Sequence, residues 1–382
     1  MNKLANRSHG AVRTTAFALT LITTAALSAC GNDNNDNGGG GSGSGDVGAA
    51  DLSAAGTQQQ VGTFGTLVQA LGALDALSNS PSGVAATGRP LAKQARIHAK
   101  AGDACPGGGT SEDSGPTSKN VGSPFTSQPL PVSTTSFHNC RYVDSQEQDG
   151  NSTDVEITLD GSAEGGALEG GDPYVEYFRI GDDSGPYSLD YHFAQSSSGQ
   201  GVNVSSDVTL ELGIRFRDDY KSDSSGSEDR FVLSFDGSYD ASATSNGQGG
   251  STSGDFTYYI GKSGAPFTAS DDSSGTTISG EYGFKLSGPA GASCPSGGVT
   301  ISTLDPLTDS NGAASPFSAG RLQFSSGGSS SQVTFNDDGT VTVQGSDGQS
   351  STFSYAEAVA SAGPCAGYAL AGLYLAAGAA PR

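Results

Sequence analysis

Four aspartate pairs, Asp182-Asp183, Asp218-Asp219, Asp271-Asp272 and Asp337-Asp338, are the densest candidates for chemistry in this chain. All are expected at turns between strands. Carboxylates at strand tips, joined by backbone carbonyls, would bind Ca²⁺ weakly or contact a partner. The competing explanation is that Asp is a good turn residue, because its side chain bonds its own backbone two residues on. That explanation carries more weight. The four histidines (His9, His98, His138, His192) are scattered, and neither H-E-x-x-H nor G-x-S-x-G occurs. Gly261-Lys262-Ser263 lacks the earlier glycine of a phosphate-binding loop, since Phe256 stands there. Asp33, Asn35, Asn37 and Gly38 fit half of a calcium-hand loop, but Ser44 replaces the bidentate Glu. Tyr174, Tyr177, Phe178, Tyr258 and Tyr259 place rings on both faces of their strands, where core packing outweighs ligand stacking. No catalytic residue, metal ligand set or cofactor site is expected.

The amino terminus carries the most specific pattern. Lys3, Arg7 and Arg13 precede the apolar run Ala16 to Ile22, and the stretch closes on Leu27-Ser28-Ala29-Cys30. A basic start, a short apolar run and small residues have the form of a secretion signal, too short for a membrane-spanning helix. Leu27-Ser28-Ala29-Cys30 resembles the lipobox of bacterial lipoprotein precursors. The resemblance implies diacylglyceryl attachment to Cys30, cleavage after Ala29, and a bilayer as partner through the acylated Cys30. Several acyl chains hold where one lets go, since each buried CH₂ contributes roughly 0.8 kcal/mol. Gly31, in place of Asp, implies outer-membrane delivery by resemblance to the enterobacterial sorting rule. The body resembles, in style alone, uncharacterised Ser/Gly-rich envelope lipoproteins of proteobacteria.

With Cys30 acylated, Cys105, Cys140, Cys294 and Cys365 remain, an even number that implies two disulfides in an exported chain. Three pairings are open. Cys105–Cys140 and Cys294–Cys365 fit a two-module reading. A zinc site is disfavoured because no C-x-x-C occurs.

These residues need elements to hold them. Residues 1–29 read as a signal peptide and 30–50 as a lipidated, flexible Gly/Asn/Ser tether. Residues 51–104 read as a helix and a connector. Val61, Phe64, Leu67, Val68, Leu71 and Leu74 form an apolar stripe over about 57–78, weakened by Gly62, Gly65 and Gly72. From 105 onward the period becomes two. Val208, Leu210, Leu212, Ile214 and Phe216 alternate with polar residues; so do Tyr187 to Phe193, Phe231 to Phe235, Val333-Phe335 and Val341-Val343. Asp337-Asp338-Gly339 marks a hairpin. The expectation is a mainly β protein: an antiparallel up-and-down meander (open sheet, sandwich or partial barrel) with one amino-terminal amphipathic helix. It would comprise a β module at 105–290 and a smaller one at 291–382. A short helix is expected within 356–380.

Composition limits the function. The net charge is −22, from 18 Lys and Arg against 40 Asp and Glu. Such a body repels phosphate backbones, so nucleic acid is excluded as a partner. Only 15% of residues are charged, there is no Trp, and Gly numbers 58; a long helical protein and a compact α/β enzyme are disfavoured. The reading is an outer-membrane-anchored lipoprotein with an acidic β-rich binding or structural body and no catalysis, meeting an envelope protein or polysaccharide. The alternatives are a transmembrane β-barrel and an envelope hydrolase.

Overall fold

The computed structural model describes residues 47–76, 103–148, 151–168, 170–181, 185–199, 202–246, 248–288, 294, 296–309 and 315–362, with backbone alone for 66–76, 103, 148, 198–199, 202 and 309. The signal peptide, Cys30, most of the tether, the connector after residue 76, Asp182, Asp183 and Cys365 lie outside the described residues.

The expected meander is present. Helix α1 (Ala54–Ala76) is followed by strands β1 (Asp103–Ala104), β2 (Thr110–Lys119), β3 (Leu130–Gln148), β4 (Asn151–Leu168), β5 (Tyr174–Ile180), β6 (Tyr187–Gly199), β7 (Val202–Asp223) and β8 (Gly226–Ser245). Next come β9 (Gln248–Ile260), β10 (Phe267–Asp272), β11 (Gly275–Leu286), β12 (Gly297–Asp309), β13 (Phe317–Ser326), β14 (Ser329–Phe335), β15 (Thr340–Gln344) and β16 (Ser350–Ser354). Helix α2 (Tyr355–Ser361) follows. All sixteen strands belong to one antiparallel sheet of sequential neighbours, and its terminal strands β1 and β16 are not paired with each other. The sheet continues across residue 291, since β11 pairs with β12, so the two expected modules share one sheet and one core.

Two strands are broken. β6 and β5 lie end to end between β4 and β7. β9 and β10 do the same between β8 and β11. Each break starts on a glycine and ends on a proline before an inward aromatic: Gly181 to Pro186 then Tyr187, and Gly261 to Pro266 then Phe267. This echo is legible in the sequence only once both segments are known to occupy the same place in a strand.

Period two puts alternate residues on one face, and that face is the core. Leu189, Leu212, Phe235, Tyr258, Tyr282, Ile301, Phe324, Val333 and Val341 are buried there, all in one cluster with Leu52, Val61 and Phe64 of the α1 region. The Phe64 ring sits 6.3 Å from Phe267, 6.0 Å from Tyr282 and 6.5 Å from Phe324. The first half of α1 therefore packs on the inner face of the later strands. The expected single apolar stripe is too narrow for the first half of α1, where Thr57, Gln60 and Thr63 are buried as well. Their polar atoms are satisfied: Tyr282 Oη donates to Gln60 Oε1 at 2.9 Å, Thr57 Oγ1 bonds Ser331 Oγ at 2.9 Å, and Thr63 Oγ1 donates to the Gln59 carbonyl at 3.0 Å.

Gly62 and Gly65 cost helix propensity but permit the approach of α2. A Cβ on Gly62 would lie 1.9 Å from the Ala358 carbonyl oxygen, and one on Gly65 would lie 1.8 Å from Tyr355 Oη. α2 is held in place by a capping box, Ser354 Oγ accepting from the Glu357 amide at 3.2 Å while Glu357 Oε2 accepts from the Ser354 amide at 2.7 Å.

Before α1 the chain is fixed to one end of the sheet. The Gly298 amide donates to the Gly48 carbonyl at 2.9 Å and the Ser346 amide to the Leu52 carbonyl at 2.8 Å. The Ala50 amide donates to Ser326 Oγ at 2.8 Å. The β7–β8, β10–β11 and β14–β15 turns lie at the opposite end.

Cys105 and Cys140 form a disulfide with Cα atoms 5.4 Å apart, one of the expected pairs. Cys294 is also disulfide-bonded, to a residue outside the described set.

Two stability outcomes follow. Gly62→Ala should destabilise the chain by roughly 1–3 kcal/mol through overpacking, although Ala is the better helix former by about 1 kcal/mol; urea unfolding measures the sign. Replacing Cys105 and Cys140 together by Ser should cost roughly 4 kcal/mol in the chain-entropy model for a 35-residue separation, measured by the same unfolding midpoint.

Candidate functional site

The structure does not gather the three aspartate pairs it describes, and Asp182-Asp183 lies outside the described residues. Asp337 and Asp338 are at a turn, and Asp338 Oδ1 accepts from the Thr340 amide at 2.9 Å and from its hydroxyl at 2.6 Å. Asp271 and Asp272 end β10; Asp272 Oδ1 accepts from the Ser274 amide at 2.7 Å and hydroxyl at 2.6 Å, and Asp271 Oδ1 from Thr276 Oγ1 at 3.2 Å. Asp223 is held by Ser225 in the same way. These bonds hold the Asp338, Asp272 and Asp223 carboxyls below their ordinary values. Donors from their own turns occupy these carboxylates, as the turn reading expects. Among the described residues no group of three or more His, Cys, Asp or Glu is placed to hold a metal ion.

Asp218 and Asp219 are a correction. They are not in a turn but inside β7, where the period of two sends them to opposite faces. Asp218 shares the inner face with Phe216, beyond the ring layer formed by Phe178 with Phe216 and Phe231 with Phe267. Tyr220 stands opposite Asp229 of β8 and Glu176 of β5, so Asp218, Asp229 and Glu176 form one inward carboxyl cluster. The Asp218 and Asp229 carboxyls hydrogen-bond each other, and Oδ1 of each is sealed from solvent with no donor. Glu176 is buried and accepts from Tyr174 Oη at 2.8 Å. The inward positions of β5, β7, β8 and β10 carry no Lys or Arg. Burial, followed by the Asp229 charge, pushes Asp218 well up, while burial raises Asp229 to about 6. Both shifts favour the protonated form of the pair. Two carboxyls in mutual contact leave no room for a glycosidic oxygen, which needs them about 5 Å or more apart.

The outer face of the same strands holds the opposite charge, a feature the sequence reading missed. Arg179 of β5 stands directly opposite Arg217 of β7, and Arg215 lies two residues along on the same face. Lys221 and Arg230 continue the row. Arg217 donates from Nε to Asp219 Oδ2 at 2.7 Å and from Nη2 to the Val121 and Gly122 carbonyls at 3.2 and 3.0 Å, with its guanidinium over the Tyr177 ring. Phe125, from the same β2–β3 loop, lies under Lys221 and Arg230 at 5.5 and 5.2 Å. Beneath the loop, Leu130, Val132 and Tyr177 form a small second core with Val121 and Leu168. The Tyr177 hydroxyl donates to Glu164 Oε1 at 2.7 Å, so this ring is packing, not a ligand platform. Tyr258 is likewise core, while Tyr259 bonds Glu281 and lies under Lys262. His192 bonds Asp207 at 3.1 Å on the exposed face of its strand. The sequence signal for the basic row was the run Ile214-Arg215-Phe216-Arg217, whose alternate residues share a face.

No protein family, curated protein or solved structure matches this chain.

The Asp218–Asp229 pair fixes a pH effect. A carboxyl whose folded pKa is raised confers stability at acid pH and loses it as pH climbs through the folded value. The window for Asp229 runs from about 4 to about 6. Asp229→Asn should therefore be more stable than the parent at pH 7, by roughly 1–3 kcal/mol. The gain should vanish at pH 4, as read by urea midpoints at the two pH values.

Proposed function

We propose that this chain is an acylated lipoprotein of the bacterial envelope, carried to the outer membrane, whose β-rich body is a non-catalytic binding or structural module. The observation that carries the reading is the join between tether and body. The lipobox-like Leu27-Ser28-Ala29-Cys30 is followed by 16 residues of Gly, Asn, Asp and Ser before Val47, and from Gly48 the chain is bonded to one end of the sheet. A Gly/Ser-rich linker of that length spans roughly 20–25 Å as a random coil. The bonded end then faces the bilayer, and the β7–β8, β10–β11 and β14–β15 turns face away.

The outward-facing residues support an aqueous body over a transmembrane barrel. A barrel needs an apolar outer band, whereas large exposed apolar side chains among the described residues are Val143, Val204 and Leu304. Arg179, Arg215, Arg217, Asp190 and Glu211 stand on the outer face in the middle of the sheet. No described helix is long and apolar enough to cross a membrane. The non-catalytic reading draws on the mutual contact of Asp218 and Asp229, which takes that pair out of the spacing a glycosidic oxygen needs.

Metabolic labelling with a palmitate analogue tests the anchor. The label should enter the chain and be lost in Cys30→Ala, and that variant should leave the membrane fraction. Unlabelled, membrane-free wild-type chain with residues 1–29 intact would overturn the proposal.

A further inference from the structure

The sheet has two edges, and the chain treats them differently. The β2 edge is guarded. β1 pairs with Thr110 and Ser111 alone, and the rest of β2 carries Glu112, Asp113, Pro116 and Lys119, with a register shift between Ser114 and Thr117. Charge, proline and irregular pairing are the devices that keep a further strand from adding to an edge. The β16 edge has none of them. Ser350-Ser351-Thr352-Phe353-Ser354 carries no charge and no proline, and it pairs with β15 in unbroken register. β14 and β15 beside it are uncharged as well, in a chain whose net charge is −22.

Hydrogen bonds fix which way the β16 backbone points. The Gly345 amide donates to the Gln349 carbonyl at 2.9 Å, so Gln349 turns its backbone toward β15. By alternation Ser351 and Phe353 do the same, while Ser350, Thr352 and Ser354 turn their N–H and C=O groups to the open side. The Ser354 amide is taken by Glu357 Oε2 at 2.7 Å in the capping box. Ser350 and Thr352, whose side chains are exposed, present both groups, and Ser354 presents its carbonyl. Among the described residues no strand lies beyond β16. An acid stands at each end of this edge, Asp347 in the β15–β16 turn and Glu357 in α2. Both are exposed, and among the described residues neither pairs with a Lys or Arg.

We propose that β16 is a strand-addition site for an extended segment of a partner protein, uncharged where it pairs and basic at its ends. Backbone bonds supply the affinity of such a complex, and the flanking charges add selectivity. A second copy of this chain is the poorer occupant. Antiparallel pairing of two β16 strands would set Ser350 against Ser354 of the other copy and bring Asp347 near its Glu357, twice over by symmetry. It would also point the Gly48-bonded ends of the two copies in opposite directions, where one bilayer could not anchor both. The proposal names a partner class for the binding reading of the body and rests on that reading; the pairing itself needs no acyl anchor.

Fluorescence anisotropy with the purified full chain in neutral detergent tests it. The probe is a synthetic peptide of five alternating Val and Thr residues with two lysines at each end. It should bind with a Kd below about 1 mM and weaken as salt is added. A glutamate-ended peptide should bind about tenfold less well. Methylating the backbone nitrogens of the five central residues should abolish binding, because strand addition needs those donors. Thr352→Pro should weaken binding about tenfold and leave the melting temperature near that of the parent. The lost N–H lies outside the β15 ladder, and an edge strand tolerates proline there. No binding at about 1 mM, equal binding of the methylated peptide, or unchanged binding by a folded Thr352→Pro chain would overturn it. The methylated peptide meets the unaltered chain, so that arm decides the matter if Thr352→Pro does not fold. Cys30→Ala should leave the titration unchanged, so failure of the anchor and failure of the edge are read separately.

Discussion

One sheet with a single apolar face must cover that face, and this constraint shapes the molecule. Sixteen strands in one layer have no second sheet to pack on. Part of the cover is α1, whose Phe64 touches rings from β10, β11 and β13. Burial of apolar area at about 25 cal/mol per Å² is the driving term. It explains why the first turns of α1 are enclosed by more than one stripe, and why Gly62 and Gly65 stand where α2 presses in.

The same constraint sorts charge. A strand that buries every second residue can change character on either face independently. In β7 the inner row runs from Val208 to Phe216 and then turns polar at Asp218, while the outer row carries Glu211, Arg215, Arg217 and Lys221. Asp218 and Asp219 are adjacent in sequence and separated by the thickness of the sheet. Asp219 is paired with Arg217 at 2.7 Å; Asp218 is left against Asp229, where burial and the neighbouring charge raise its pKa. The acid inside and the base outside are products of one alternation.

The fold was largely readable because period two is a local signal. The strands around Tyr187 to Phe193, Val208 to Phe216 and Val341 to Val343 follow their alternation, and the Asp337-Asp338-Gly339 turn is where the hairpin signal puts it. The candidate site was less readable. An Asp-Asp pair reads as a turn wherever turns are plausible, and nothing local separates Asp271-Asp272, which does end a strand, from Asp218-Asp219, which does not. The difference is the length of the β7–β8 hairpin, set by pairing as far as Asp223 with Gly226.

By itself the sequence determined the β class, the antiparallel meander, the candidate lipid-bearing Cys30 and an even set of four further cysteines, because each depends on residue type and short-range spacing. Tertiary structure alone decided that β5 and β6 are halves of one strand, that Arg179 meets Arg217, and that Asp218 meets Asp229. Those meetings are set by register between strands tens of residues apart. Register depends on which side chains meet across the shared inner face, and no local pattern encodes it.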